Sequence, residues 1–122
     1  MIRGSAIHKD RFPGEVLEVY RRNAAQPGAL AAMLAYYRAY FRHGVDKELA
    51  RAAYRQLETP TLMIWGEEDT ALGKELTFGT EDLVNDLTLR YLPGVSHWVQ
   101  QEAPETVNAM IEAWLEGRDV PA

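Results

Sequence analysis

Two residues in this chain have side chains suited to moving a proton between them: His97, in "YLPGVSHWVQQEAPETV", and Asp69, in "GEEDTAL". A carboxylate that accepts from one imidazole nitrogen fixes the ring's tautomer and leaves the other nitrogen free as a general base. Taken singly, neither residue says much. An aspartate after Gly-Glu-Glu is ordinary turn chemistry, and a lone loop histidine is most often a surface residue. Their joint placement carries more weight, because each follows a segment of strand character. In open α/β sheets, sites collect in the loops beyond the carboxyl ends of the strands, and parallel neighbours set those loops side by side. The sequence therefore predicts that Asp69 and His97 meet. Metal chemistry is not indicated: the chain has three histidines and no cysteine, and His8, His43 and His97 show no ligand spacing. No Gly-rich phosphate loop is present either, so no cofactor is expected.

The elements that must position this pair are legible from periodicity. Residues 13–25 read as a helix opened by Pro13, with Val16, Leu17 and Tyr20 on one face, and "QPG" ends it. A second helix, "ALAAMLAYYRAYFR", runs to a stop at His43-Gly44, and a third, more polar one is expected over 46–56, capped by Asp46. After Pro60 the texture changes. "TLMIW" is an unbroken apolar run, predicting a strand covered on both faces, whereas "LTLRYL" (87–92) begins with alternation that fits a half-exposed edge. Between them "GTEDLVND" is the predicted helical part of a parallel crossover. From Pro104, Val107, Met110, Ile111, Trp114 and Leu115 recur at helical spacing, and Gly117 closes the helix. Three helices followed by strand–helix–strand–helix is the closing half of an α/β sheet, an α/β fold class.

Composition bounds the function. At 122 residues, 47% hydrophobic and 25% charged, the chain is a soluble globular type of at most one domain. A net charge of -5 argues against nucleic acid. Arg21, Arg22, Arg38 and Arg42 are interleaved with tyrosine and alanine and read as a solvated helix face. No apolar run approaches the ~20 residues of a membrane span, and "MIRGSAIHKDRF" lacks the apolar core of a secretory signal. With no cysteine to form disulfides, a cytoplasmic location is expected.

"TPTLMIWGEEDTAL" followed by "LTLRYLPGVSHWVQQEAPETVNAMIEAWL" resembles the C-terminal segment of α/β-hydrolase-fold enzymes, closest to the epoxide hydrolase and haloalkane dehalogenase branch. In that family the acid follows the seventh strand and the histidine the eighth. The resemblance implies Asp69 as acid and His97 as base, with Glu67 and Glu68 as competitors for the acid role. It also implies Trp98 as a substrate-binding neighbour of the histidine. "AMLAYYRAYFR" is similar to the end of the family's helical cap, and this makes Tyr37 the phenol that would hydrogen-bond the epoxide oxygen. Here Ala35-Tyr36 precedes it where the family more often has asparagine or tryptophan, and Tyr36, Tyr37 and Tyr40 also suit simple aromatic packing.

The family's nucleophile has no match. Ser5 in "RGSAI" lacks the flanking pattern of G-x-S-x-G, Ser96 stands beside the histidine and after the acid, and "HGV" at 43–45 reads as a helix stop rather than an oxyanion-hole segment. The expectation is a cap end over 1–57 and the C-terminal part of a hydrolase core over 58–122, inactive alone because triad members act as a unit. The complete enzyme would take an epoxide, halide or ester as its small-molecule substrate. Strand 61–65 would lack a neighbour at one edge, so a homo-oligomer or pairing with an N-terminal portion is expected. A serine-type esterase fragment and a non-catalytic association module remain the alternatives.

Overall fold

A computed structural model of the chain describes residues 2–43 and 55–121. Two compact units emerge: residues 13–55 form one, and residues 2–12 join 56–121 in the other. The third helix expected from Asp46 lies outside the described residues, apart from residues 55–56 at its end, which are not helical.

In the first unit, α1 (Gly14–Ala24) starts directly after Pro13, whose fixed φ suits the entry to a helix. Gly28, at φ 80°, turns the chain into α2 (Ala29–His43). Tyr36 and Tyr37 on α2 meet edge to face at 5.6 Å between centroids, as do Tyr40 and Phe41 at 5.4 Å.

The second unit is built on β1 (Thr61–Gly66) and β2 (Leu87–Leu92), parallel and in register from Thr61 opposite Leu87 to Gly66 opposite Leu92. Both strands are half-buried except for a buried last residue, so the expected contrast between a doubly covered strand and an edge strand is absent. The crossover also differs from expectation. Instead of an α-helix it holds two 3₁₀ turns, Lys74–Thr77 and Thr80–Asp82, split by Gly79 at φ 81°. The rest of "GTEDLVND" turns and bends without continuing as a helix, and Leu57 takes part of its backbone: Leu57 N–H donates to Leu83 O, and Asn85 N–H donates to Leu57 O. Thr80 O still accepts from the N–H groups of Leu83 and Val84, but the helical pattern goes no further.

Helix α3 (Pro104–Leu115) closes the unit over the sheet. Val107, Met110 and Ala113 are its buried face, whereas Ile111 and Leu115, read from the sequence as part of the same stripe, are exposed. Leu92, Val95, Val107, Met110 and Val120 form the core, with Leu62, Ile64, Val99, Ala103 and Trp114 packed against it. Gly117, at φ 66°, lets Arg118 N–H return to Ala113 O, satisfying a terminal carbonyl.

Residues 2–12 pack with the strand unit, because Phe12 is fully buried there and Ala6 nearly so. At the other end Arg90 of β2 donates to the carbonyls of Val120 and Pro121 at 2.8–3.1 Å, fastening the C-terminal segment to the sheet. Replacing Arg90 with alanine should cost about 1–2 kcal/mol, the scale of charge-assisted hydrogen bonds at a half-buried site. Urea denaturation would read that loss, with amide exchange rising first around Val120.

Among the described residues no helix is long and apolar enough to cross a membrane.

Candidate active site

The loops after β1 and β2 are laced together by the backbone. Glu67 N–H donates to Leu92 O and Glu68 N–H to Val95 O, both at 3.0 Å. This contact demands glycine at position 66: a Cβ there would lie 2.2 Å from Ser96 O and 2.5 Å from Val95 O. The strand ends can approach this closely only without a side chain.

Asp69 sits in the first loop with a 5% exposed side chain. Its Oδ1 accepts from the N–H groups of Ala71 (2.8 Å) and Leu72 (2.9 Å), an Asx turn, while Trp65 Nε1 donates to Leu72 O and holds the far side of that turn. Its Oδ2 lies 2.8 Å from His97 Nδ1. Burial pushes the Asp69 carboxyl up, but the hydrogen bonds from Leu72, His97 and Ala71 outweigh it and leave the group below its ordinary 3.8. An ionised carboxylate only accepts, so Nδ1 must carry a proton, and in the neutral form of the ring Nε2 is the nitrogen left with a lone pair. A ring in that state is poised to take a proton.

Of the neighbouring carboxylates, Glu67 is engaged elsewhere. Glu67 Oε1 pairs with Lys74 Nζ at 2.6 Å, and Glu68 is exposed. Hydrogen bonding to Glu67 raises the Lys74 pKa, and the ammonium stands 5.1 Å from the Tyr91 ring centroid. Asp69 is thus the carboxylate that reaches the ring.

Trp98 packs edge to face on His97, with 5.0 Å between centroids, and its buried indole N–H finds no acceptor among the described residues. Tyr37 belongs to the other unit, on α2. No group of three or more metal-ligating side chains occurs among the described residues.

Ser96 went unrecognised by sequence reasoning except as a nucleophile in the wrong order. It is fully buried, its Oγ donates to Ser5 O at 2.6 Å, and it accepts from His97 N–H at 2.6 Å. No local pattern announces this, since its partner comes from the other end of the chain.

No family model matches the chain. Epoxide hydrolase 4 of mouse (Mus musculus) is 37% identical over 102 residues, covering 83% of this chain and 27% of its own. The AB hydrolase superfamily protein YfhM of Bacillus subtilis is 36% identical over 107 residues, covering 88% of this chain and 36% of its own. Among solved structures, an epoxide hydrolase from Bacillus megaterium superposes with a TM-score of 0.71 at 26% identity, over 87% of this chain and 38% of that one. This is the C-terminal part of an α/β-hydrolase fold. The chain spans only about a quarter to a third of the length of the curated relatives it matches. Within an α/β-hydrolase fold, loops at the carboxyl ends of successive strands are where an acid and then a histidine stand. Asp69 and His97 occupy such loops here, in that order.

Proposed function

We propose that this chain is the acid–base part of an epoxide hydrolase-like enzyme, with His97 as the base and Asp69 as its supporting acid. The 2.8 Å contact between Asp69 Oδ2 and His97 Nδ1, made by a carboxylate that two backbone amides already hold, carries the reading. In the complete site a carboxylate nucleophile from an N-terminal portion attacks an epoxide carbon, and the carbon–oxygen bond opens as an acid of the pocket gives its proton to the oxygen. The resulting hydroxyalkyl ester is hydrolysed by water. His97 Nε2 takes the water's proton as its oxygen attacks the ester carbonyl and gives it to the departing alkoxide as the acyl–oxygen bond breaks; the diol leaves, and the regenerated carboxyl loses its proton through solvent to the acid that opened the epoxide, restoring both. Trp98 walls the histidine side of the pocket.

The reading includes a partner at β1. Among the described residues β1 pairs only with β2, and Thr61–Gly66 contains no charged residue to discourage pairing at its other edge. Leu62, Ile64, Ile111 and Trp114 form an apolar groove beside it. A strand from the N-terminal portion, or from a second copy in its absence, satisfies both. The site of action is the cytoplasm.

The test joins this chain to the N-terminal portion of the Bacillus megaterium enzyme and assays an aryl epoxide and an aryl ester. Epoxide turnover is expected, and His97→Gln should lower it by about 100-fold or more, general-base catalysis contributing that much. The same variant should accumulate a covalent ester visible by mass spectrometry. Ester turnover alone, or a fully active His97→Gln hybrid, would refute the proposal.

A further inference from the structure

Residues 2–12 form a strap, and its contacts converge on the segment that carries His97. Ser5 offers its carbonyl to Ser96 Oγ at 2.6 Å. The N–H groups of Ile7 and His8 both donate to Glu102 Oε2, at 2.8 and 3.0 Å, and that carboxylate is 3% exposed. Gln101 Nε2 donates to Arg11 O at 2.9 Å, and Arg11 grips Glu105 through both guanidinium nitrogens at 2.9 and 3.2 Å. Phe12 anchors the end of the strap in the interior. The hydrogen-bond and ion-pair partners of the strap all lie between residues 96 and 105, from the residue just before the histidine onward.

We propose that Ser96 is a positioning residue for His97 and that the strap is what sets it. This rests on the acid–base reading above and assigns it a further part. Ser96 has one hydroxyl proton, and the Ser5 carbonyl takes it, so the hydroxyl cannot turn. The lone pair left facing back accepts His97 N–H at 2.6 Å. That bond fixes the His97 backbone and with it the direction in which the imidazole leaves the chain, towards Asp69. The acceptor that orients the hydroxyl comes from 91 positions away. The aim of the base is therefore contingent on strap docking. A serine present only to satisfy its own hydroxyl would not need to bond the one backbone amide that orients the ring.

The experiment uses the 122-residue chain labelled with nitrogen-15, reading the His97 ring by long-range proton–nitrogen correlation. The unsubstituted chain should show Nδ1 protonated and Nε2 bare. Ser96→Ala should give a mixture of tautomers and Nδ1–H exchange about tenfold faster, the scale of one lost hydrogen bond, while unfolding stays cooperative. Unchanged tautomer and exchange in a folded Ser96→Ala chain would overturn the proposal. Should that variant fail to fold, backbone exchange in the unsubstituted chain decides the matter. The N–H groups of Ile7, His8 and His97 should open together across a urea series, within about threefold of one another, since one strap release frees all three. Rates for His97 more than about tenfold away from the other two would overturn the proposal. An unsubstituted chain whose His97 carries its proton on Nε2 would refute the acid–base reading itself, a result distinct from either failure of Ser96.

Discussion

Asp69→Asn is expected to give a folded protein whose His97 ring holds its proton on the wrong nitrogen. Hydrogen-bond capacity decides the outcome. Ala71 and Leu72 direct two N–H donors at the first carboxylate oxygen, so the asparagine must place its single carbonyl oxygen there. Only the side-chain NH₂ is then left to face His97, where Oδ2 now stands 2.8 Å from Nδ1. Facing a donor, Nδ1 must accept, and the ring proton moves to Nε2. The nitrogen needed as a base is thereby blocked. In the hybrid enzyme the loss of turnover should be about 100- to 10,000-fold, the range in which removing a base's oriented tautomer acts. Ring-nitrogen shifts of the isolated chain check the cause directly: retention of Nδ1–H in the variant would show that the carboxylate does not set the tautomer.

The same substitution has a signature in stability. Asp69 is held below its ordinary 3.8 in the folded chain, so it is ionised there at pH values where the unfolded chain has begun to protonate it. Its contribution is complete above the ordinary value and fades as pH falls through the lower folded value. Urea midpoints of the parent should decline over that acid interval more steeply than those of Asp69→Asn, which has nothing to titrate. Parallel curves would contradict the assignment.

What could be read from the sequence follows from what is local. Pro13 and Gly117 mark helix ends by backbone chemistry that needs no tertiary partner, and the unbroken "TLMIW" already specifies a strand. The meeting of Asp69 and His97 was legible for a less local but still general reason, because two parallel strands present their carboxyl ends together. The misread parts depend on distant residues. "GTEDLVND" has helical content, yet Leu57 pairs with it and only Thr80–Asp82 forms a 3₁₀ turn. The exposed Ile111 fits the period of α3 as well as the buried Met110 does, and only the position of the sheet separates them. Ser96, Glu102 and the strap were invisible because their meaning lies in contacts across more than ninety positions.

Among the described glycines, Gly66→Ala should be the most damaging added methyl. The new Cβ would stand 2.2 Å from Ser96 O, 2.5 Å from Val95 O and 2.9 Å from Val95 C, all backbone atoms of the histidine loop with no rotamer to yield. Relief requires the loops after β1 and β2 to part, which breaks the Glu68 N–H bond to Val95 O and carries Ser96 and His97 away from Asp69. Overpacking against rigid backbone should cost roughly 3 kcal/mol. Gly94 supplies the control. It lies in the same loop at φ 71°, where an added Cβ meets nothing within 4 Å, so Gly94→Ala costs only the left-handed strain of about 1 kcal/mol. Urea denaturation should separate the two variants, and the His97 Nδ1–H resonance should survive in Gly94→Ala and vanish in Gly66→Ala. Equal stability with both resonances intact would mean that the two loops are not held by their backbones. In that case the closeness of the acid to the base would have to come from the side chains alone, and a single hydrogen bond between a buried aspartate and a partly exposed histidine is too weak a tether to hold two loops together.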